Sequence, residues 1–428
     1  MARQDVKTLH GSTLSTFALH ALQSPLCKEL LQTVEPLILQ HMSAMTRIDL
    51  SYILSAYSKS KVGNTYFYTT LIQRLVAIKS SLNAIDMANI TQALAKIGKG
   101  GEQYLMQLED CVVNVQNIRT KDLCLILNAY SKTSAVKVFA HYEAEVLRRK
   151  NELDTRQIAT VLNAYCRRMP TSQVFSVLSK LVAQTDMDSW AIANVVHAYV
   201  TAVEQPGPVL AALQPKLQFQ TMKPKELVQV YWGYSHVQGF EEVLSSAKTH
   251  ILNQINNLDA DAVSLVISCQ VKAKHVDLLE RMRELIRTKR DLREALVGNA
   301  HLLIRTIHAL AKGNWDAFAL ELYAFAPENM CETLKMDDFA VLLISLCKVN
   351  APKEQIIPFI HILPNHLPLF PPKHTINVFF QLSRMHYSSL YALKARRSYF
   401  DQAVHRTKQP DQATITQIQL VTKHLEVS

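Results

Sequence analysis

The stretch Leu123–Lys132, LCLILNAYSK, decides how the whole chain is read. As a helix it sets Leu123, Ile126, Leu127 and Tyr130 on one stripe, the i, i+3, i+4, i+7 spacing of an amphipathic helix. A small residue, Ala129, lies beside that stripe, and a cation, Lys132, follows three residues later. Anchored on the small residue, the arrangement recurs at Ala21, Ala56, Ala93, Ala129, Ala164, Ala198, Gly233, Ser268, Ala309, Ser345 and, more loosely, Gln381. The steps are 35, 37, 36, 35, 34, 35, 35, 41, 36 and 36 residues. The eleven copies give 44 stripe positions, all apolar except Ser15, Thr91, Thr306 and Thr375, so 40 of 44. A composition of 48% hydrophobic residues would place about 21 there, so chance alignment is a poor explanation.

This spacing predicts an all-α chain, a right-handed α-solenoid of about eleven helix-turn-helix repeats with a mean period of 36 residues. The expected layout is a short extension over 1–12, repeats over 13–400 and a capping helical segment over 401–428. A length of 428 residues exceeds what one compact core usually supports, whereas stacked units have no such limit. Only 10 glycines argue against Gly-rich turns and sheets. The seven cysteines show no paired spacing, and Cys269 occupies a stripe position, which points to buried thiols in a reducing compartment. No run approaches about 18 apolar residues, so no membrane insertion is expected.

Several local readings follow from turn and cap chemistry. The GKGG run, Gly98–Gly101, lacks the preceding strand and following Lys-Ser/Thr of a phosphate loop and reads as an inter-helix turn. EQPGP, Glu204–Pro208, ends one helix before another around Leu210–Leu217. The long 41-residue step is taken up in ERMRELIRTKRDLR, Glu280–Arg293, and PNHLPLFPP, Pro364–Pro372, reads as a connection before the eleventh copy. The N-terminus carries Arg3 and Lys7 around Asp5, and the first repeat helix begins by about Thr13. That leaves room for a very short targeting leader only, so either the precursor is longer or the import signal is minimal.

A period near 36 with helices ending NAYSK and NAYCR resembles the pentatricopeptide repeats and their heptatricopeptide and octotricopeptide relatives of mitochondria and plastids. The Trp-Leu-Gly-Tyr pattern of tetratricopeptide repeats is absent. The resemblance implies stacked hairpins that hold single-stranded RNA, a mitochondrial location, and roles in RNA processing or RNA editing. In pentatricopeptide proteins, base choice depends on a residue four before the small one and on the last residue of the unit. Here the first set reads Phe17, Tyr52, Asn89, Leu125, Thr160, Asn194, Gln229, Ser264, Arg305, Val341 and Asn377. The second includes Ala84, Thr120, Thr155, Ser189, Pro224, Asp259, Ala300, Met336 and Pro372. Few pairs are polar at both, so a base-reading code is not intact and the heptatricopeptide-like relatives match better. Those relatives often end in a RAP domain, for which the tail after Arg397 is too short and too helical.

The cation three residues after the small position is more regular: Lys59, Lys96, Lys132, Arg167, Lys312, Lys348 and Arg384, with His236 at an eighth copy. Such a ladder could follow a phosphate backbone, and a net charge of +10 agrees with an anionic partner. A cation at a helix C-terminus is also favoured by the helix dipole whatever the function. Arg283, Arg287 and Arg290, within the Arg281–Arg293 cluster, carry the same two readings, because Glu280, Glu284 and Asp291 could pair with them locally. Further basic groups stand at Arg148, Arg149 and Lys150 and at Lys394, Arg396 and Arg397, and Trp232 reads as packing before it reads as a base platform. No catalytic, cofactor or metal-ligating constellation is present: there is no HExxH pair, and His361 and His366 lie beside prolines without a carboxylate partner. The expectation is therefore not an enzyme, with no small-molecule substrate. Two roles remain open, an RNA-binding protein gripping phosphates, or a scaffold for protein subunits of an organellar RNA-processing, RNA-editing or ribosomal assembly.

Overall fold

The structure, a computed structural model, describes residues 11–97, 100–385, 397–407 and 409–427. It is all-α, with no strand among the described residues. Arg3 and Lys7 of the leader reading, Gly98 and Lys99 of the GKGG turn, and Lys394 and Arg396 lie outside the described residues. The chain divides into two compact units, Met1–Thr221 and Met222–Ser428.

In the first unit the stripe-bearing helices are Gly11–Ala21, Arg47–Ser60, Ala84–Leu94, Thr120–Tyr130, Thr155–Arg168 and Ser189–Ala202, each packed on the next. We call these A helices. The intervening B helices, Cys27–His41, Thr65–Ala77, Val136–Arg148 and Val174–Gln184 among them, form a second layer. The second unit repeats the plan with A helices Pro224–Ser235, Ala260–Ala273, Ala300–Lys312, Met336–Lys348 and Pro372–Arg384. There the helix Gln412–Val427 packs on the last of them.

The stripe is buried at every copy except at Leu19, Leu22 and Leu265, which are half-buried. Leu19 and Leu22 belong to the first copy, which among the described residues has a neighbouring A helix on one side only. The four polar stripe residues are buried too, and each is hydrogen-bonded. Ser15 donates to Asp49 Oδ1 at 2.6 Å, Thr91 to the Met87 carbonyl at 2.8 Å, Thr306 to the Leu302 carbonyl at 2.7 Å, and Thr375 to the Pro371 carbonyl at 3.5 Å. A hydroxyl that bonds within its own helix or to the next one avoids the cost of a buried unpaired donor. Three A-helix starts are closed by capping boxes, Thr46 with Asp49, Asn83 with Asp86 and Asp154 with Gln157.

The tyrosine that closes the stripe does more than fill space. Tyr57 donates to the Leu31 carbonyl at 2.7 Å, Tyr130 to Leu105 at 2.8 Å, Tyr165 to Phe139 at 3.0 Å and Tyr199 to Phe175 at 2.8 Å. In each case the acceptor lies on the B helix of the preceding repeat, so the phenol ties one hairpin to the one before it. All four side chains are fully buried, and burial pushes their phenols up from the ordinary value. The sequence reading treated this position as one more apolar site; the hydroxyl makes it a specific inter-repeat link.

Three connections differ from the sequence reading in detail. The expected linker Pro364–Pro372 is largely helix: Lys353–His366 runs through Pro358 and Pro364 and passes into a short 3-10 turn, Leu367–Leu369. Its apolar face, Ile356, Phe359 and Leu363, is buried and outweighs the missing backbone donors. The surplus in the 41-residue step forms an extra short helix, Arg290–Val297, after Val276–Thr288. The helix expected around Leu210–Leu217 begins inside EQPGP and spans Gly207–Leu213, continued by the 3-10 turn Gln214–Lys216.

Replacing Tyr130 by Phe removes only the link to Leu105 and is expected to cost about 1 kcal/mol in denaturant unfolding. Tyr130→Ala also empties a fully buried site and is expected to cost roughly 3–5 kcal/mol. Equal stability of the Phe variant and the native chain would show that the hydroxyl link contributes nothing.

Candidate nucleic-acid interface

The two ends of the A helices differ in how their polar groups are used. At the N-terminal ends, charges are consumed between neighbouring repeats: Arg47 pairs with Asp86, Arg156 with Asp188 at 2.9 Å and Arg305 with Asp261 at 2.9 Å. The positions that set base choice in pentatricopeptide proteins fall largely into this network. Thr120 donates to Glu152 at 2.6 Å, Ser189 bonds Thr221 at 3.1 Å, and Asp259 caps the Ala262 amide at 2.8 Å. Ser264 is buried and accepts from Arg305 at 2.9 Å, and Asn194 donates to the Trp190 carbonyl at 2.8 Å. Tyr52, with 42% of its surface exposed, and Asn89, also exposed, are clear exceptions.

At the C-terminal ends the expected ladder residues are in place and largely open to solvent. Lys59, Lys96, Lys132 and Arg167 in the first unit are exposed; in the second, Lys312 and Arg384 are exposed and Lys348 is half-buried. Among the described residues none of the seven has a carboxylate within ion-pair distance. Parallel A helices put them on one edge of each row, as two contacts show directly. Lys132 Nζ lies 3.5 Å from the Ala95 carbonyl at the end of the preceding A helix, and Arg168 donates to the Ser131 carbonyl at 2.9 Å. In the fifth copy it is therefore Arg168 that caps the neighbouring helix, and Arg167 faces water. Arg384 lies over the Phe380 ring at 5.8 Å.

The arginine cluster is organised differently. Arg283 and Arg287 both grip Glu321, with Arg283 Nη2 at 2.8 Å and Arg287 Nη2 at 2.6 Å. Arg290 pairs with Glu294 at 2.6 Å and Arg281 with Glu284 at 2.5 Å. Arg283 and Arg293 also lie over the rings of Phe318 and Phe325. The partner Glu321 comes from the next hairpin, 34 residues beyond Arg287, which no local pairing rule could supply. Arg148 and Arg149 are likewise held by Glu145, whose carboxyl drops to about 2 through the Arg148 hydrogen bonds and then those of Arg149. Arg397 stands 3.6 Å from Asp401. Trp232 is half-buried beside His236, its carbonyl 2.7 Å from His236 Nδ1.

Two histidines that the sequence did not single out sit immediately before the small position, beside ladder cations. Burial first and the charge of Arg167 second lower His197 from the ordinary value. Burial, then Lys312, then Lys348 push His308 down to about 4. His308 lines a cavity of about 200 Å3 together with Lys312, Ser345, Lys348, Gln381 and Gln417. The clue in the sequence was the spacing of Lys312 and Lys348; that His308 lies between them depends on contacts across repeats. The other cysteines are buried, Cys27 and Cys111 are half-buried, and all seven are free thiols. Among the described residues no group of three His, Cys, Asp or Glu side chains could hold a metal ion, and no helix is long and apolar enough to cross a membrane.

Neither a family model nor a curated protein matches the chain. Solved structures with some likeness include the pentatricopeptide repeat protein PPR10 in complex with an 18-nt psaJ RNA element, and a cysteine-to-serine variant of it with the same element. Each is 11% identical, with a TM-score of 0.26 over 100% of this chain and 77% of the other. That likeness is weak, and the fold stands on the chain's own helices.

His308 should titrate in the folded chain near pH 4, followed through the ring protons of labelled histidine. Its unfolded value is the ordinary 6.5, so the folded state binds fewer protons between about 4 and 6.5, and stability falls as pH drops through that window. A folded value at or above 6.5 would contradict the burial and charge environment described here.

Proposed function

We propose that the chain binds single-stranded RNA through its phosphate backbone, along the C-terminal edge of the A helices, in organellar RNA metabolism with a mitochondrial location. The observation that carries this reading is the sorting of charge. The arginines of Arg281–Arg293 that pair, and Arg148 and Arg149, have carboxylate partners, whereas Lys59, Lys96, Lys132, Arg167, Lys312, Lys348 and Arg384 have none among the described residues. A helix-dipole role alone needs a cation near the helix end but gives no reason for all seven to stand without an ion-pair partner among the described residues. A polyanion supplies one, since each lysine or arginine that meets a phosphate releases bound counterions. With the base-choice positions mostly engaged inside the protein, base preference should be weak. Arg283, Arg287 and Arg290 belong to the proposal only as a secondary surface, because a phosphate would have to displace Glu321 or Glu294.

A second reading, a protein scaffold in an organellar assembly, has its own observation. Exposed apolar residues recur where B helices begin: Leu26, Tyr66 and Val136 in the first unit and Val276 in the second. Scattered exposed apolar residues are ordinary, but recurrence at one structural position, a short turn beyond the cationic helix ends, fits a protein-facing strip beside the cations. Both strips can act in one molecule.

Lys96→Ala, Lys132→Ala and Arg167→Ala combined should weaken binding to unstructured RNA and flatten the dependence of log affinity on log salt by about 2, at roughly 0.7 per lost contact. Helicity should be unchanged. Unaltered affinity and slope would remove the ladder from the interface. Co-purifying proteins retained after ribonuclease treatment would favour the scaffold edge, and their complete loss would favour tethering by RNA.

A further inference from the structure

The cavity in the second unit is walled by the A helices Ala300–Lys312, Met336–Lys348 and Pro372–Arg384 and by Gln417 of the helix Gln412–Val427. Its charges are one-sided: Lys312 and Lys348 line it, and no carboxylate does. One of its neutral polar groups is not satisfied by the protein: Asn377 Oδ1 is buried and accepts nothing among the described residues, and Gln381 and Gln417 line the same cavity. Buried amides are normally paired, so the unpaired Asn377 oxygen marks a place for a ligand to complete the bonding.

The hydrogen-bond network fixes what the ligand must offer. Ser345 has one hydroxyl proton, which it donates to the Val341 carbonyl at 2.7 Å. Its oxygen therefore accepts from His308 Nδ1–H at 3.0 Å, and His308 Nε2 is left as an acceptor. Burial beside two ammonium groups keeps that ring neutral. The cavity thus combines two cations and amide N–H donors with unpaired acceptors at Asn377 Oδ1 and His308 Nε2. A bare anion satisfies the first set and not the second. A phosphate monoester on a ribose satisfies both, through its oxyanions and through ribose hydroxyls.

We propose that this cavity binds a phosphate monoester of a nucleotide, carried either by the phosphorylated end of an RNA strand or by a free mononucleotide. A monoester carries about −1.5 to −2 at pH 7, matching the two lysines, whereas an internal phosphodiester carries one negative charge. Ala311 and Ile344 supply apolar wall for a base or sugar face, and about 200 Å3 suits one terminal nucleotide, being below the roughly 300–1,000 Å3 of sites for larger ligands. The helix Gln412–Val427 packs on the A helix Pro372–Arg384 and brings Gln417 to the cavity wall beside Lys312 and Lys348. The strand-end form rests on the RNA reading above; the mononucleotide form does not.

The test uses the full chain and a short unstructured oligouridine bearing a 5′-phosphate, a 3′-phosphate, or hydroxyls at both ends, with UMP and inorganic phosphate titrated separately. One of the phosphorylated ends should bind on the order of tenfold tighter than the hydroxyl-ended strand, the gain of one well-placed charge-assisted contact set. Gln381→Leu and Gln417→Leu should each bring that ratio toward one while leaving the hydroxyl-ended strand unaffected, since neither is hydrogen-bonded to a ladder cation among the described residues. Gln381→Leu should fold about as stably as the native chain, because no hydrogen bond to a described residue is lost. If hydroxyl-ended and phosphorylated strands bind equally in the native chain, the cavity proposal is overturned while strand binding stands. If no strand binds, UMP binding that is lost in Gln381→Leu assigns the cavity to free mononucleotide, and absence of UMP binding overturns it. Inorganic phosphate competing as well as UMP would overturn the nucleotide assignment.

Discussion

A helical hairpin of this kind cannot bury its own stripe, and that constraint shapes everything else in the molecule. Leu123, Ile126, Leu127 and Tyr130 leave water only because the neighbouring A helices cover them. The link from Tyr130 to the Leu105 carbonyl, repeated at Tyr57, Tyr165 and Tyr199, adds direction to what would otherwise be a non-specific apolar contact. It ties each A helix to the B helix before it. Parallel A helices in register follow, and with them the alignment of equivalent residues along two edges.

Those edges differ chemically. At the N-terminal edge, acidic residues in the first turn cap their own helices and pair with arginines of adjacent repeats, as Asp86 does with Asn83 and Arg47. The macrodipole favours acid there and cation at the other end, so the separation begins as backbone physics. What the backbone does not require is the absence, among the described residues, of carboxylate partners around the seven cations at the C-terminal edges of the two units. Elsewhere the chain supplies such partners readily, even across repeats, as Glu321 does for Arg283 and Arg287. Those edges therefore have charge available for a polyanion, and in the second unit part of that charge converges with His308, Asn377, Gln381 and Gln417 on one cavity.

The helical layout was legible from one motif because period and stripe are local properties, and the burial of the stripe at Leu50, Ile53, Leu54 and Tyr57 follows from them. The helix through Pro358 and Pro364 was not legible, since burial of Phe359 and Leu363 overrides a local breaker signal. The same holds for the site. Spacing located Lys132, Lys312 and Lys348, but only contacts between residues about one repeat apart show that Arg287 is held by Glu321, or that His308 bonds Ser345. The division at Thr221 and Met222 also has no counterpart in composition or spacing. Pattern reading finds the repeated part of such a chain and misses what happens between repeats.

The central claim is that RNA lies on the C-terminal edge of the A helices and not on the arginine-rich B-layer helix. Ultraviolet crosslinking of the full chain to unstructured RNA, followed by mass spectrometry of the linked peptides, tests it directly. The account predicts crosslinks in peptides spanning Lys96, Lys132, Arg167 and Lys348. Crosslinks confined to Glu280–Arg293, with the A-helix ends unmarked, would contradict it.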